Sequence, residues 1–193
     1  MPAGGRRGGW RRHLPLIAGA ELALREPAAA RLLPDPAEAE RRVRRLLEEG
    51  GTPPQLASFY AWKARAALEL ARAAASGAVA REVAEGAIRR LRRARLSSLP
   101  ALLSILSREG LGWLLPDPET LAGWLRAAGG ARAAVLLALA DGRARPLSEL
   151  AREVAALLGR PVEPRAVAAR LSELRDLGLV ERADGGWRIR RPL

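Results

Sequence analysis

Val167-Ala168-Ala169-Arg170-Leu171-Ser172-Glu173-Leu174-Arg175-Asp176-Leu177-Gly178-Leu179-Val180-Glu181-Arg182 changes its hydrophobic period partway along. Val167, Leu171 and Leu174 recur at helical spacing, Gly178 interrupts, and the last four residues read as a strand. A helix is predicted from about Glu163 to Leu177, with Pro164 in the first turn, where its missing N–H costs nothing. Beyond the strand, Ala183-Asp184-Gly185-Gly186 reads as a turn and Trp187-Arg188-Ile189-Arg190 as the returning strand. The hairpin so formed offers Leu179, Trp187 and Ile189 to a core.

Two shorter helices are expected upstream. The first, Ala131 to Asp141, carries Val135, Leu136 and Leu139 on one side and stops at Asp141-Gly142. The second opens at Ser148 or at the preceding Pro146-Leu147, and Leu150, Val154, Leu157 and Leu158 supply its apolar stripe. Gly159 is suited to the left-handed position that ends it, and Gly159-Arg160-Pro161-Val162 forms the turn into the third helix. Residues 131–193 therefore read as three helices followed by a two-stranded ribbon.

Within that unit, Val167-x3-Leu171-x2-Leu174-x3-Gly178-Leu179-Val180-x-Arg182 resembles the passage from recognition helix to wing in winged helix-turn-helix domains of bacterial and archaeal regulators. The resemblance covers about a third of the chain. It implies that the third helix enters the major groove of duplex DNA and that the wing follows a phosphate backbone. On the outward face of that helix Arg165 suits a guanine edge, Ala168 and Ala169 a thymine methyl, and Ser172 a base or a phosphate, while Asp176 repels phosphate. Arg182, Arg188, Arg190 and Arg191, on or beside the hairpin, suit the DNA backbone. The candidate DNA-binding set is Arg165, Ala169, Ser172, Arg182, Arg188 and Arg190. Winged helices also serve as protein-docking modules, so two functions follow. One is a transcriptional regulator on double-stranded DNA. The other is a non-enzymatic component of a replication or transcription assembly. A homodimer or a replication or transcription protein is the further partner these readings allow.

Residues 16–128 are expected to form an all-helical domain, with helices at about Leu16 to Arg25, Pro36 to Glu49, Pro54 to Ser76 and Ala78 to Leu96, and a broken stretch from Leu99 through Trp124. Leu-Leu-Pro-Asp-Pro occurs at Leu32 to Pro36 and at Leu114 to Pro118. In each copy the aspartate, Asp35 or Asp117, caps a helix that begins with proline, and Glu38 supplies a capping-box glutamate at the first. The boundary with the following domain is placed at Ala127-Ala128-Gly129-Gly130. Residues 1–15 read as a basic disordered arm.

The densest charge run is Arg89, Arg90, Arg92, Arg93 and Arg95, with Ile88 and Leu91 inward; Arg89, Arg92 and Arg93 share a face suited to phosphates or simply to solvent. Arg41, Arg42, Arg44 and Arg45 form a second cluster, partly balanced by Glu38, Glu40, Glu48 and Glu49. Phe59, Tyr60 and Trp62 are the one aromatic group, read as core in the first instance and as a stacking or partner surface in the second.

Composition bounds the chemistry. The net charge is +12, from 32 arginines, the single Lys63 and 21 acidic residues. Residues 131–193 hold 12 arginines against 8 acidic residues, net +4, so the remaining net +8 belongs to residues 1–130. A basic balance of this size makes nucleic acid the default partner. Without cysteine there are no disulfides, thiol nucleophiles or cysteine-held metals, and His13 alone assembles no triad or histidine metal cluster. No Walker loop or GxGxxG is present; no enzyme, cofactor or metal is expected. The near absence of thermolabile side chains fits a thermophile with a GC-rich genome. The apolar run after Arg11-Arg12 is cut at Glu21 after about seven residues, at the bottom of the range for a secretory signal, and no other apolar stretch has membrane length, so a cytoplasmic protein is expected. The fold class is mainly α: an all-helical domain followed by a winged helix-turn-helix of three helices and a two-stranded wing.

Overall fold

The computed structural model describes residues 13–190, mainly helical with one two-stranded antiparallel sheet near the C-terminus. Residues 1–12 of the expected basic arm, and Arg191, lie outside the described residues. Residues 13–15 depart from that reading: His13 is buried and stacks on Tyr60 at 4.8 Å between ring centroids, and a helix begins at Leu14. The aromatic partner sits in a later helix, so nothing local to His13 marked its burial. The chain divides into two compact units, one ending at Ala94 and one beginning at Arg95.

The first unit contains α1 (Leu14–Arg25), a 3-10 turn (Pro27–Leu32), α2 (Pro36–Glu49), α3 (Pro54–Ala75) and α4 (Arg81–Arg93). The Asp35 carboxylate accepts a hydrogen bond from the Glu38 N–H at 2.9 Å, which holds the first turn of α2. Helix α3 is the axis of the unit, and α1, α2 and α4 all pack on it. Its Ala57, Ala61 and Ala64 recur at helical spacing and are fully buried against Val43 and Leu47 of α2, small side chains that let two helices approach closely. Phe59 and Trp62 are buried as well, so these two aromatics belong to the core, with Tyr60 half-buried beside them. Helix α4 also packs on α3, and its Ile88 and Leu91 are inaccessible.

The second unit runs through a 3-10 turn (Leu96–Ser98), α5 (Leu99–Arg108), a second turn (Gly112–Leu114), α6 (Pro118–Ala128), α7 (Gly130–Ala138), α8 (Leu147–Leu158), α9 (Pro164–Asp176), β1 (Val180–Ala183) and β2 (Gly186–Ile189). Asp117 caps α6, accepting from the Thr120 N–H at 2.9 Å and the Thr120 hydroxyl at 2.7 Å; these bonds hold its carboxyl below the usual carboxylate range. The glycine pair expected as an interdomain linker lies inside this unit. Gly129 and Gly130 both have positive φ, and their turn joins α6 directly to α7, which packs against it. Helices α7, α8 and α9 pack mutually around Val135, Leu136, Leu150, Val154, Val167, Leu171 and Leu174. Helix α5 joins this core through Ser104, whose hydroxyl donates to the Leu177 carbonyl at the end of α9 and accepts from Arg108 at 2.8 Å.

Strands β1 and β2 pair Val180 with Ile189, Glu181 with Arg188, Arg182 with Trp187 and Ala183 with Gly186. A third chain segment joins them. Arg145, between α7 and α8, exchanges both backbone hydrogen bonds with Trp187 at 2.8 Å each. The approach is so close that a Cβ on Gly186 would lie 2.0 Å from the Arg145 carbonyl oxygen.

Candidate nucleic-acid interface

Helix α9 carries its inward face where the periodicity put it: Val167, Leu171 and Leu174 are essentially inaccessible. Gly159 ends α8 with φ 64° and ψ 23°, the left-handed conformation, which turns the chain toward α9. Opposite the buried face, Arg165 and Ala169 are exposed and Ser172 is half-buried. Arg165 makes no ion pair among the described residues. Arg170, five residues further along, differs: it is bonded to Glu173, which also takes Arg132 of α7 at 2.6 Å. Two guanidinium partners hold the Glu173 carboxyl below its ordinary range.

On the hairpin Arg182, Arg188 and Arg190 are exposed, and one carboxylate offsets part of their charge. Glu181 lies directly across from Arg188 and pairs with it at 2.7 Å; Arg190 approaches the same carboxylate at 4.0 Å. The Arg182 guanidinium rests 5.0 Å above the Trp187 ring, a cation–π contact that leaves its charge unneutralised. The role of Glu181 was readable from period and turn length, since residues 181 and 188 face each other across a four-residue turn.

Beneath the hairpin Arg145 was not anticipated as a site residue. Its guanidinium bonds Asp141 at 2.6 Å and lies 3.2 and 3.0 Å from Glu149 and Glu153. Hydrogen bonds from Arg145, and from the Arg143 backbone, hold the Asp141 carboxyl down at about 2. The network ties the start of α8 to the segment that bridges β2.

In the first unit, Arg89, Arg92 and Arg93 are exposed on α4, with Arg92 bound to Glu21 of α1 at 2.8 Å. Arg89 and Arg93 have no acidic partner among the described residues. On α2, Arg44 is bonded to Glu40 at 2.7 Å, whereas Arg41, Arg42 and Arg45 project to solvent. Among the described residues no group of three histidine, aspartate or glutamate side chains is placed to hold a metal ion, and no helix is long and apolar enough to cross a membrane. No family model, curated protein or solved structure matches the chain.

Proposed function

We propose that the chain is a non-enzymatic, winged-helix protein that binds double-stranded DNA, acting as a transcriptional regulator. The observation that carries the reading is the surface of α9: Val167, Leu171 and Leu174 are consumed by the core, while Arg165 stands exposed at the first turn and makes no ion pair among the described residues. The surroundings support it. A left-handed glycine separates α8 from α9, a hairpin follows α9, and the Arg145–Trp187 bridge holds that hairpin to the segment ahead of α8. In this reading α9 enters the major groove, Arg165 contacts a base edge or phosphate, and Arg182 meets the backbone from the hairpin.

Glu181 limits the grip. By pairing with Arg188 and lying near Arg190 it offsets one of the hairpin's positive charges and so lowers the number of phosphates the hairpin can engage, and Ala168 and Ala169 give α9 little to read. The reading therefore specifies a salt-sensitive binder with modest sequence discrimination. The same neutralisation favours a second reading, a docking module within a replication or transcription assembly.

Fluorescence anisotropy of a labelled duplex against salt separates the two. Arg165→Ala is expected to weaken binding by about 1–3 kcal/mol. Glu181→Gln removes the one negative charge facing Arg188 and is expected to tighten binding and steepen the salt dependence by about one phosphate contact. If both variants bind as the parent chain does, α9 and the hairpin do not contact DNA and the docking reading stands.

A further inference from the structure

We propose that the second unit binds one small, uncharged, planar apolar molecule in a cavity bounded by α5, α6, α7 and β2. The cavity measures about 790 Å3, within the ~300–1,000 Å3 of typical small-ligand sites. Leu103 of α5, Leu121 and Leu125 of α6, Leu136 of α7 and Ile189 of β2 form its apolar walls. In a chain where 28% of residues are charged, none of the fifteen described residues lining this cavity is. A phosphate, carboxylate or ammonium placed here loses its hydration and meets no counter-charge, so the lining selects a neutral occupant.

Two features narrow the chemistry further. Trp113 lines the cavity with its side chain half exposed, offering a ring face against which a planar molecule stacks. Ser107 lines it too, and its hydroxyl is buried with no hydrogen-bond partner among the described residues. Rotation about one bond turns that hydroxyl toward the occupant, which completes its hydrogen bonding. The ligand is thus an aromatic or fused-ring molecule with one neutral polar group. Because Ile189 belongs to the hairpin, occupancy bears on β2 directly. An effect on DNA affinity rests on the reading above, whereas ligand binding itself does not.

The test uses the full chain without DNA, so its failure is separate from failure of the DNA-binding reading. N-phenyl-1-naphthylamine, which is uncharged and carries a planar fused ring and one N–H, is titrated in and followed by energy transfer from tryptophan. Saturable one-to-one binding is expected. Ala122→Phe, which fills the cavity, is expected to weaken it at least about tenfold, and Ala140→Phe provides a second filling variant if the first melts early by circular dichroism. Ser107→Ala is expected to weaken it about fivefold through the lost hydrogen bond. Non-saturable uptake, or binding indifferent to both filling variants, overturns the proposal. So does absence of probe binding with a dimer in sedimentation that Ala122→Phe dissolves, since the cavity is then covered by protein.

Discussion

Each unit shelters one cation, and the two are treated in opposite ways. Lys63 of α3 is 1% exposed and has no acidic partner among the described residues. Its ammonium donates to the Ala94 carbonyl at 2.7 Å and the Arg92 carbonyl at 3.4 Å, at the C-terminal end of α4, and lies 5.1 Å from the Tyr60 ring centroid and 5.7 Å from that of Phe59. Arg145 of the second unit is surrounded by three carboxylates. Burial pushes the Lys63 ammonium down to about 8, whereas the bond to Asp141 pushes the Arg145 guanidinium up. Dipoles and ring faces soften the cost of burying a charge without removing it, and carboxylates at the edge of solvent remove it. The contrast also accounts for residue choice. Among 33 basic residues the single lysine occupies this buried, carboxylate-free position, which a compact head that can shed its proton tolerates better than a guanidinium.

The largest expected effect comes from breaking the scaffold around Arg145. Gly186 has φ +148° and no room for a Cβ against the Arg145 carbonyl, so Gly186→Ala is expected to cost about 3 kcal/mol in thermal or urea unfolding. Gly185→Ala is its control, strained at φ +89° but with open space around it, and is expected to cost about 1 kcal/mol. Equal losses from the two would show that strain alone, and not the close approach, governs the hairpin.

The next effect sharpens the contrast at Lys63. With its value lowered from 10.5 to about 8 in the folded chain, the unfolded state binds the extra proton between those limits. Unfolding free energy is therefore expected to rise with pH across that window, by up to about 3 kcal/mol. Lys63→Met has no proton to lose, so its stability should stay flat where the parent chain's climbs. A parent chain equally flat in urea titrations from pH 8 to 10.5 would mean the ammonium is better solvated than its burial indicates.

The smallest belongs to Asp141. Its carboxyl, lowered to about 2, contributes stability that is fully present above the ordinary 3.8 and is lost as pH falls through 2. The pair is partly solvated, so Asp141→Asn is expected to cost only about 1 kcal/mol at pH 7 and to remove that acid-side loss. A variant that melts with the parent at neutral pH would assign the hold on Arg145 to Glu149 and Glu153.

What was legible in the sequence was local. Asp35 and Asp117 announced α2 and α6 because a capping aspartate followed by proline acts within one turn. Val167, Leu171 and Leu174 announced α9, and the aromatic run at 59–62 placed Phe59 and Trp62 in the core. What was not legible depended on packing between distant segments. The division at Ala94 and Arg95 carries no glycine or proline signal, and the Gly129-Gly130 pair that looked like a linker proved a turn between packed helices. Arg145 gave no period to detect, because a single bridging residue has none. Of the candidate interface, the positions were readable, and so was the facing of Glu181 and Arg188 across the turn; the approach of Arg190 to the same carboxylate was not.

The bridge from Arg145 to Trp187 has a kinetic consequence. Helices α7, α8 and α9 and the hairpin each close over short stretches of chain, whereas the bridge closes a loop that contains α8, α9 and β1. Loop-closure entropy places that contact among the later steps of folding. A contact made late is released early, so the hairpin's attachment is expected to be the first element to loosen. In stopped-flow experiments Gly186→Ala should then accelerate unfolding and leave the refolding rate nearly unchanged; a slowed refolding limb would instead put the bridge inside the nucleus.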